Sequence, residues 1–521
     1  MKSSPQIGVS RQARGPLLFA PLIPVYRAGL AGCTPGRGEY RLPWDSCLDK
    51  TPDFGDIVVQ FLFKEASTAE DTAPDLTTGG LWSNIWRLSL PMLLIMTFNF
   101  FVGFVDIYVA GFISPEVQAA VGFVSLLYFL VIIIANAISV GTVALISRAI
   151  GAGDLTKSMV VARQSLIFGC LVAAVLTLVG VFLSREIIAA AGFPEKIREI
   201  AEVLLRIFSI ALGANYILII SNAVFGARGD VLNPLFTMFI VSAVNIFAAF
   251  ALVFGWFPFP RLGYAGIGVA TAVSVTLGMG INLILFFRSR WRSIYKGSWA
   301  LSFATIKKIF DIGWPAAMLQ IAWNAGTIVL YNILGRLGEK SITAMAAISN
   351  GLRIEALIFL PAFALSMSAS VLIGQNLGAG NPERAERVVW RTAAAGVITL
   401  SALALVVFLR AEAFAAFVAK DPAVLAETTR YLRINMIAQP FIALSLALSG
   451  GLLGAGDTRG TMWVIIIAMW LIRLPITYAL ALPLSFGATG VWWSMVVSVV
   501  CQSVLMTRRF RSGKWKHMKL E

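Results

Sequence analysis

The sequence predicts an all-α membrane protein, a bundle of about twelve transmembrane helices in two pseudo-symmetric six-helix lobes. Hydrophobic residues make up 58% of the 521 residues and charged residues only 13%, so a soluble fold of this size would lack polar surface. The apolar residues form blocks long enough to cross about 30 Å of hydrocarbon as helices, whereas barrel strands would give short alternating segments. The third observation is a repeat that relates the two halves of the chain.

Twelve apolar segments predict the spans. They lie near residues 87–112, 119–147, 160–184, 199–225, 233–256, 263–288, 311–335, 341–373, 387–409, 424–452, 461–484 and 487–508. Several exceed 25 residues, which predicts tilted or overlong helices. The predicted divisions are an N-terminal extension at 1–80, an N-lobe with spans 1 to 6 at 81–297, a C-lobe with spans 7 to 12 at 298–508, and a basic cytoplasmic tail at 509–521.

The extension differs from the rest in being rich in proline, glycine and polar residues, which predicts disorder or a start codon assigned too early. An alternative is an organelle transit peptide, because the first 38 residues contain basic residues and no acid. The first interpretation places the protein in a bacterial inner (plasma) membrane, and the second in an organelle envelope. Both remain open at this point.

The basic residues predict the orientation. They concentrate in the loops that follow the even-numbered spans, as with Arg148, Lys157 and Arg163 after span 2 and the run from Arg508 to Lys519 at the end. By the positive-inside rule that side is cytoplasmic, and both termini lie on it. The net charge of +15 therefore indicates membrane topology, and we expect no nucleic-acid partner.

Four glycine or proline matches recur at nearly constant spacing. The matches are 151–153 with 378–380 and Gly229-Asp230 with Gly456-Asp457, both 227 positions apart, and Pro91 with Pro315 and Gly263 with Gly487, both 224 positions apart. Each half holds an even number of spans, so the repeats are parallel and related by an axis along the membrane normal.

Residues for enzyme chemistry or metal binding do not form any recognisable constellation. Cys33, Cys47, Cys170 and Cys501 lack metal-ligand spacing, and His517 is the one histidine. We expect no enzyme activity, no catalytic residues, no metal and no cofactor. The Gly-Ala-Gly runs at 151–153 and 378–380 lack the Lys-Ser/Thr of a phosphate loop, and we interpret them as helix-terminating turns.

Asp106 is the candidate functional residue, because it lies in the middle of span 1 and far from either interface. A carboxylate there costs at least about 2.5 kcal/mol unless it is protonated or paired. Its protonation can therefore respond to the surrounding cavity, as proton coupling requires. The alternative is a carboxyl held by neighbouring hydrogen bonds for structural reasons.

Other polar residues within the N-lobe spans form a candidate cavity wall around Asp106, although any one of them could merely bridge helices. They are Asn99 on span 1, Asn215, Tyr216 and Asn222 on span 4, Asn245 on span 5 and Thr271 on span 6. The C-lobe differs, since the position equivalent to Asp106 is Leu330. Its intramembrane charges are Arg353 and Glu355 on span 8, either a structural network or a cavity, and Arg473 on span 11, interpreted as a packing or interfacial residue.

Together these residues resemble the multidrug and toxic compound extrusion (MATE) family of the MOP flippase superfamily. The resemblance covers about residues 85 to 508 and rests on Val105-Asp106-Ile-Tyr-Val-Ala-Gly, the paired Gly-Ala-Gly loops, the 227–234 run, Val244-Asn245-Ile and the 263–271 run. Within the family the chain is similar to the DinF-type branch, because span 7 has Trp323 and Asn324 where other branches often carry a glutamate.

The resemblance implies a V-shaped cleft between the lobes and export driven by a proton or sodium gradient. It also implies that Asp106 is the ion-coupling carboxyl, with Asn222, Asn245 and Thr271 as its hydrogen-bonded surroundings. Family members often carry an aspartate four residues after the span 5 asparagine, and here that residue is Ala249. Because sodium prefers several oxygen ligands, we favour the H+ gradient and consider Na+ less suited.

The expected function is therefore secondary active efflux, in which a monomeric antiporter exports organic, cationic or amphipathic small molecules in exchange for protons and contacts membrane lipids. Alternatives are a Na+-coupled antiporter and a flippase of lipid-linked saccharides. The flippases of this superfamily usually have fourteen spans and a cationic cavity, whereas this chain has twelve predicted spans and an acid in its first lobe.

Overall fold

The structure is a computed structural model that describes residues 76–518 and residue 520. Within them, twelve helices are long and apolar enough to cross a membrane, which confirms the predicted fold class. The spans, numbered 1 to 12 in chain order, are Leu81–Ile113, Pro115–Gly151, Leu155–Phe182, Glu195–Arg228, Leu232–Phe254, Ala265–Arg288, Phe303–Gly335, Gly338–Gly378, Pro382–Leu409, Pro422–Ala455, Thr458–Ala481 and Gly487–Arg511. The expectations for residues 1–75 lie outside the described residues.

Several short elements accompany the spans. Helices at Ser184–Ala190 and Ala411–Val418 follow spans 3 and 9, and Ser293–Lys296 follows span 6. Short 3-10 turns occur at Arg290–Arg292, Gly338–Lys340, Met436–Ala438 and Lys514–His517. In span 11 the α-helix widens into a π-helix at Ile467–Arg473, a distortion that is common at functional sites.

Span 7 shows why predicted ends differed from observed ones. The sequence placed its start near 311, after two lysines, but the helix begins at Phe303. The Ser302 side chain accepts a hydrogen bond from the Thr305 amide and caps the first turn, so a polar turn is helical ahead of the apolar segment.

The lobes meet through equivalent helices. Span 1 packs on span 5 of its own lobe and on span 8 of the other, while span 7 packs on span 11 and on span 2. In the repeat, span 1 corresponds to span 7 and span 2 corresponds to span 8. The interface between the lobes is therefore formed by the same two helices of each lobe, the first and the second. The structure therefore has the pseudo-symmetry that the glycine and proline matches predict.

The repeat continues beyond the last span. Phe286 and Trp291 correspond to Phe510 and Trp515, each 224 positions later. Trp515 is fully buried, and its ring stacks on Phe510 with 4.9 Å between centroids. The first residues of the segment that we separated as a basic tail thus belong to the C-lobe repeat.

The linker between the lobes is fastened to span 3. The buried Arg163 side chain donates to the carbonyl oxygens of Ile294 and Ser298, both at 2.9 Å. The neighbouring Gln164 side chain donates to Ala300 and accepts from the Ser302 amide. The linker is therefore tied to the N-lobe up to the point where span 7 begins.

Candidate functional site

Asp106 lies off the centre of span 1, seven residues before the helix ends at Ile113 and 25 residues after it begins at Leu81. The prediction of a central position was wrong, because Asp106 lies only six residues before the end of the predicted segment 87–112 and seven before the end of the observed helix. Asp106 is nonetheless buried, with 7% of its surface exposed, on a helix whose neighbouring aromatic residues are exposed. The helix therefore turns its carboxyl inward and its rings outward.

A short hydrogen-bonded chain links Asp106 to spans 5 and 6. The Thr271 hydroxyl lies 3.1 Å from Asp106 Oδ2, and the Asn245 side-chain amide donates to that hydroxyl at 3.2 Å. Thr271 Oγ1 is also 3.3 Å from the Ile267 carbonyl, so its single hydrogen has two competing acceptors. The structure thus brings together three of the predicted residues in the buried part of the N-lobe.

Two oxygens of this group have no hydrogen-bond partner among the described residues: Asp106 Oδ1 and Asn245 Oδ1. Both atoms are buried, and leaving a buried acceptor unpaired costs about 1 to 3 kcal/mol. In the described part of the chain no cationic side chain forms an ion pair with Asp106. An ionised Asp106 would therefore have no compensating charge, so its protonation state depends on the local environment.

Span 2 adds a residue that the sequence analysis missed. The Tyr128 hydroxyl accepts a hydrogen bond from the Asn215 side chain and is an electrostatic neighbour of Asp106. On span 4, the Tyr216 hydroxyl donates to the Val131 carbonyl at 2.7 Å. Asn215 therefore contacts the site indirectly, through its hydrogen bond to Tyr128. Tyr216 joins span 4 to span 2. Tyr128 could have been identified from the sequence as a polar hydroxyl within an otherwise apolar span.

Asn222 does not surround Asp106, so this expectation was wrong. Its side-chain oxygen accepts from Asn282 at 2.8 Å, and Asn282 also bonds Ser221 and Thr237. Asn222 is seven residues beyond Asn215 on span 4, which is about 10 Å along a helix. It belongs to a separate polar network at a different depth.

Asn99 was also expected to partner Asp106, and it does not. Its side chain is exposed and donates to the Ile95 carbonyl of its own helix at 3.1 Å. At this level span 5 instead contacts Phe98, whose ring lies 5.6 Å from that of Phe239. Successive residues of a helix point about 100° apart, so Asn99 faces away from the contact that Phe98 makes.

The C-lobe contains a different polar centre. Glu355 on span 8 is buried and lies near Tyr431 on span 10 and Arg473 on span 11. Arg473, also buried, donates from Nε to the Ser498 hydroxyl at 2.8 Å, and its guanidinium lies 4.9 Å from the centre of the Trp323 ring. Five of the six C-lobe spans therefore contribute to this centre.

Arg353 and Glu355 have different surroundings, although only one residue separates them in the sequence. Arg353 is exposed, whereas Glu355 is buried at 4% exposure. Leu330, the residue equivalent to Asp106, is 1% exposed and lies in the apolar C-lobe core. Among the described residues no group of three or more His, Cys, Asp or Glu side chains could hold a metal ion.

The fold and its buried carboxyls define a multi-pass membrane protein of two repeated lobes, each with its own polar centre. The MatE family model matches residues 91–251 and 315–479, two segments whose starts are 224 positions apart. The chain belongs to the MatE family of membrane transporters. This confirms the family resemblance, while the DinF-type branch remains a prediction.

Individual relatives agree with this assignment. The chain is 27% identical over 431 residues to a probable multidrug resistance protein NorM of Thermotoga maritima, covering 82% of this chain and 92% of the relative. It is 29% identical over 440 residues to the multidrug resistance protein PmpM of Pseudomonas aeruginosa, covering 81% and 89%. A crystal structure of MATE in the bent conformation superimposes with a TM-score of 0.76 at 19% identity, covering 85% of this chain and 97% of that one.

Proposed function

We propose that the protein is a proton-driven antiporter that exports organic, cationic or amphipathic compounds across a bacterial inner membrane, with both termini in the cytoplasm. The observation that carries the proposal is the buried Asp106 carboxyl, which is hydrogen-bonded to Thr271 and has no ion pair among the described residues. Such a group binds or releases a proton when its surroundings change.

Proton binding can drive transport if the proton and the cargo bind preferentially to different conformations of the protein. If the neutral carboxyl stabilises one arrangement of spans 1, 5 and 6, and cargo stabilises the other, a proton gradient shifts the population and exports cargo. Asp106, Asn245 and Thr271 come from these three spans, so a change of protonation acts on the packing of all three. Cargo and proton need not touch.

The choice of proton over sodium rests on span 5. Ala249 is buried, four residues after Asn245 and thus on the same face of the helix. A methyl group there supplies no ligand, so the site offers one carboxyl with a hydroxyl and an amide oxygen. Sodium, a hard cation, is held better by several oxygens at short distance.

The cargo class rests on the relatives. Those of Thermotoga maritima and Pseudomonas aeruginosa are named for multidrug resistance, which favours organic compounds of varied shape. Exposed rings on span 1, from Phe104 to Tyr108 and Phe112, follow one another at four-residue spacing and suit planar or amphipathic molecules that approach this helix.

A vesicle assay tests the driving ion. Everted membrane vesicles that contain the protein are energised, and ethidium uptake into the lumen, which is the direction of export in an everted membrane, is followed by fluorescence. The assay is run first in sodium buffer and then with choline in its place, with potassium present throughout and at the same pH. We expect equal rates in both buffers and loss of transport when nigericin collapses the pH gradient. A rate that depends on sodium and survives nigericin would overturn proton coupling in favour of the Na+-coupled alternative.

A further inference from the structure

The two Gly-Ala-Gly loops end spans 2 and 8, at 151–153 and 378–380. The second glycine of each has a positive backbone angle, with φ of 75° at Gly153 and 72° at Gly380, and a side chain there would meet open space. These glycines are explained by the turn itself. The first glycines, Gly151 and Gly378, are the last residues of their helices with ordinary helical angles, and need another reason.

That reason is contact between the lobes. A Cβ atom added to Gly151 would overlap the Gln375 carbonyl oxygen, and one added to Gly378 would overlap the Arg148 carbonyl oxygen. Gln375 follows Arg148 by 227 positions, as Gly378 follows Gly151. The two contacts are therefore reciprocal across the pseudo-symmetry axis, and we call this pair of contacts the glycine crossing.

Neighbouring contacts extend the glycine crossing along the same helices. A side chain at Gly374 would overlap the Ser147 hydroxyl, and one at Gly141 or Gly313 would overlap backbone carbonyls of Ile309 or Ala137. Each of these contacts joins one lobe to the other. Small residues let helices in a membrane approach until their backbones touch, and such interfaces have few intermediate separations.

Hydrogen bonds between the lobes lie at the same end. The Ser89 and Ser368 hydroxyls are 2.8 Å apart between spans 1 and 8, and the Gln375 side chain donates to the Ala227 carbonyl at 2.8 Å. All of these residues lie toward the end of the bundle where the even-numbered spans finish, here called the even-span end. The structure thus shows the lobes joined at that end.

We propose that the glycine crossing is the lock that holds the lobes together at the even-span end, and that it must open in each transport cycle. Because the atoms facing Gly151 and Gly378 belong to the backbone, no side chain can move aside to admit a methyl group. A methyl at either position therefore pushes the lobes apart. The proposal goes beyond the coupling ion and holds whichever ion drives export.

The test is a pair of distance measurements on Gly378→Ala and Gly151→Ala. Spin labels are attached to cysteines in a background with Cys33, Cys47, Cys170 and Cys501 replaced by serine. One pair, Lys157→Cys with Glu383→Cys, reports the even-span end, and the other, Lys196→Cys with Lys420→Cys, reports the opposite end. All four positions are exposed.

We expect the alanine variants to lengthen the first distance and shorten the second, as the population shifts away from the locked conformation. Gly122→Ala and Gly335→Ala are matched controls, because these glycines lie in spans 2 and 7 and have no atom within 4 Å of an added Cβ. Both controls should leave the distances unchanged. Unchanged distances in folded Gly378→Ala and Gly151→Ala, or equal shifts in the controls, would overturn the proposal.

If neither alanine variant folds, a double cysteine variant tests whether the even-span end must open during transport. Ser89→Cys with Ser368→Cys places two thiols where the hydroxyls now touch, so oxidation can join spans 1 and 8. We expect the oxidised protein to lose cargo transport and to regain it on reduction, while each single cysteine variant is unaffected by oxidant. Full transport by the cross-linked protein would show that the even-span end does not open.

Discussion

The two lobes share one helical plan but differ in the polar centre that each encloses. In the N-lobe, Asp106 has hydrogen-bonding neighbours and no ion pair among the described residues. In the C-lobe, the buried guanidinium of Arg473 is an electrostatic neighbour of the buried Glu355 carboxyl, although the two do not approach within 4 Å. One centre contains a carboxyl with no cationic neighbour among the described residues, and the other contains a carboxyl and a guanidinium in one buried cluster.

The difference has a consequence for each lobe. A lone carboxyl changes charge when its surroundings change, so the N-lobe centre is suited to a switch. A carboxyl and a guanidinium buried in one cluster partly offset each other's charge, so the C-lobe centre is suited to holding helices in register. Glu355 lies 227 positions after Tyr128, the tyrosine near Asp106. The same place in the repeat thus holds a neutral hydroxyl in one lobe and a carboxyl in the other.

The largest effect that we expect on stability comes from Arg473→Gln. This change removes the cationic neighbour of the buried Glu355 and the charged donor to the Ser498 hydroxyl, and losing a hydrogen bond from a charged group costs about 1.5 to 3 kcal/mol. Thermal unfolding of the purified protein in detergent measures the loss. Adding Glu355→Gln should recover part of it, because no uncompensated charge then remains.

The contrary result for this pair is also clear. If Arg473→Gln destabilises the protein no more than Glu355→Gln alone, and the double variant is no better than the sum of the two, the side chains do not compensate each other. The contrast between the lobes would then lose its basis on the C-lobe side.

Asp106→Asn should have the smallest effect on stability. The asparagine can still accept the Thr271 hydrogen bond, and no cation loses a partner, so the expected change is below about 1 kcal/mol. The same unfolding assay checks this. A loss as large as that of Arg473→Gln would mean that Asp106 is a structural carboxyl, which is the alternative for this residue.

Much of the fold could be predicted because it depends on long, simple patterns. The twelve spans follow from apolar length, and the two-lobe plan follows from repeated residues such as Pro91 and Pro315. The ends of spans were less predictable where a local cap decides them, as Ser302 does for span 7. The Arg163 contacts with the linker join residues about 130 positions apart, and no local pattern indicates them.

The candidate site was only partly predictable for a related reason. Asn245 and Thr271 were identified as polar residues in spans, and the structure places both in the chain that ends at Asp106. Asn99 and Asn222 have the same sequence signal, but Asn99 is exposed and bonds its own helix, while Asn222 meets Asn282 of span 6. Which side chains meet depends on how the helices cross, and single-span patterns do not contain that information.

The central claim is that Asp106 carries the proton that drives export. Purified protein in liposomes with an internal pH dye should move protons when cargo is added, and Asp106→Asn should abolish this movement while it still binds cargo. Asp421→Asn is the matched control, because this exposed carboxylate caps span 10 and asparagine caps a helix equally well. Proton movement by Asp106→Asn at the rate and stoichiometry of the unmodified protein would contradict the account.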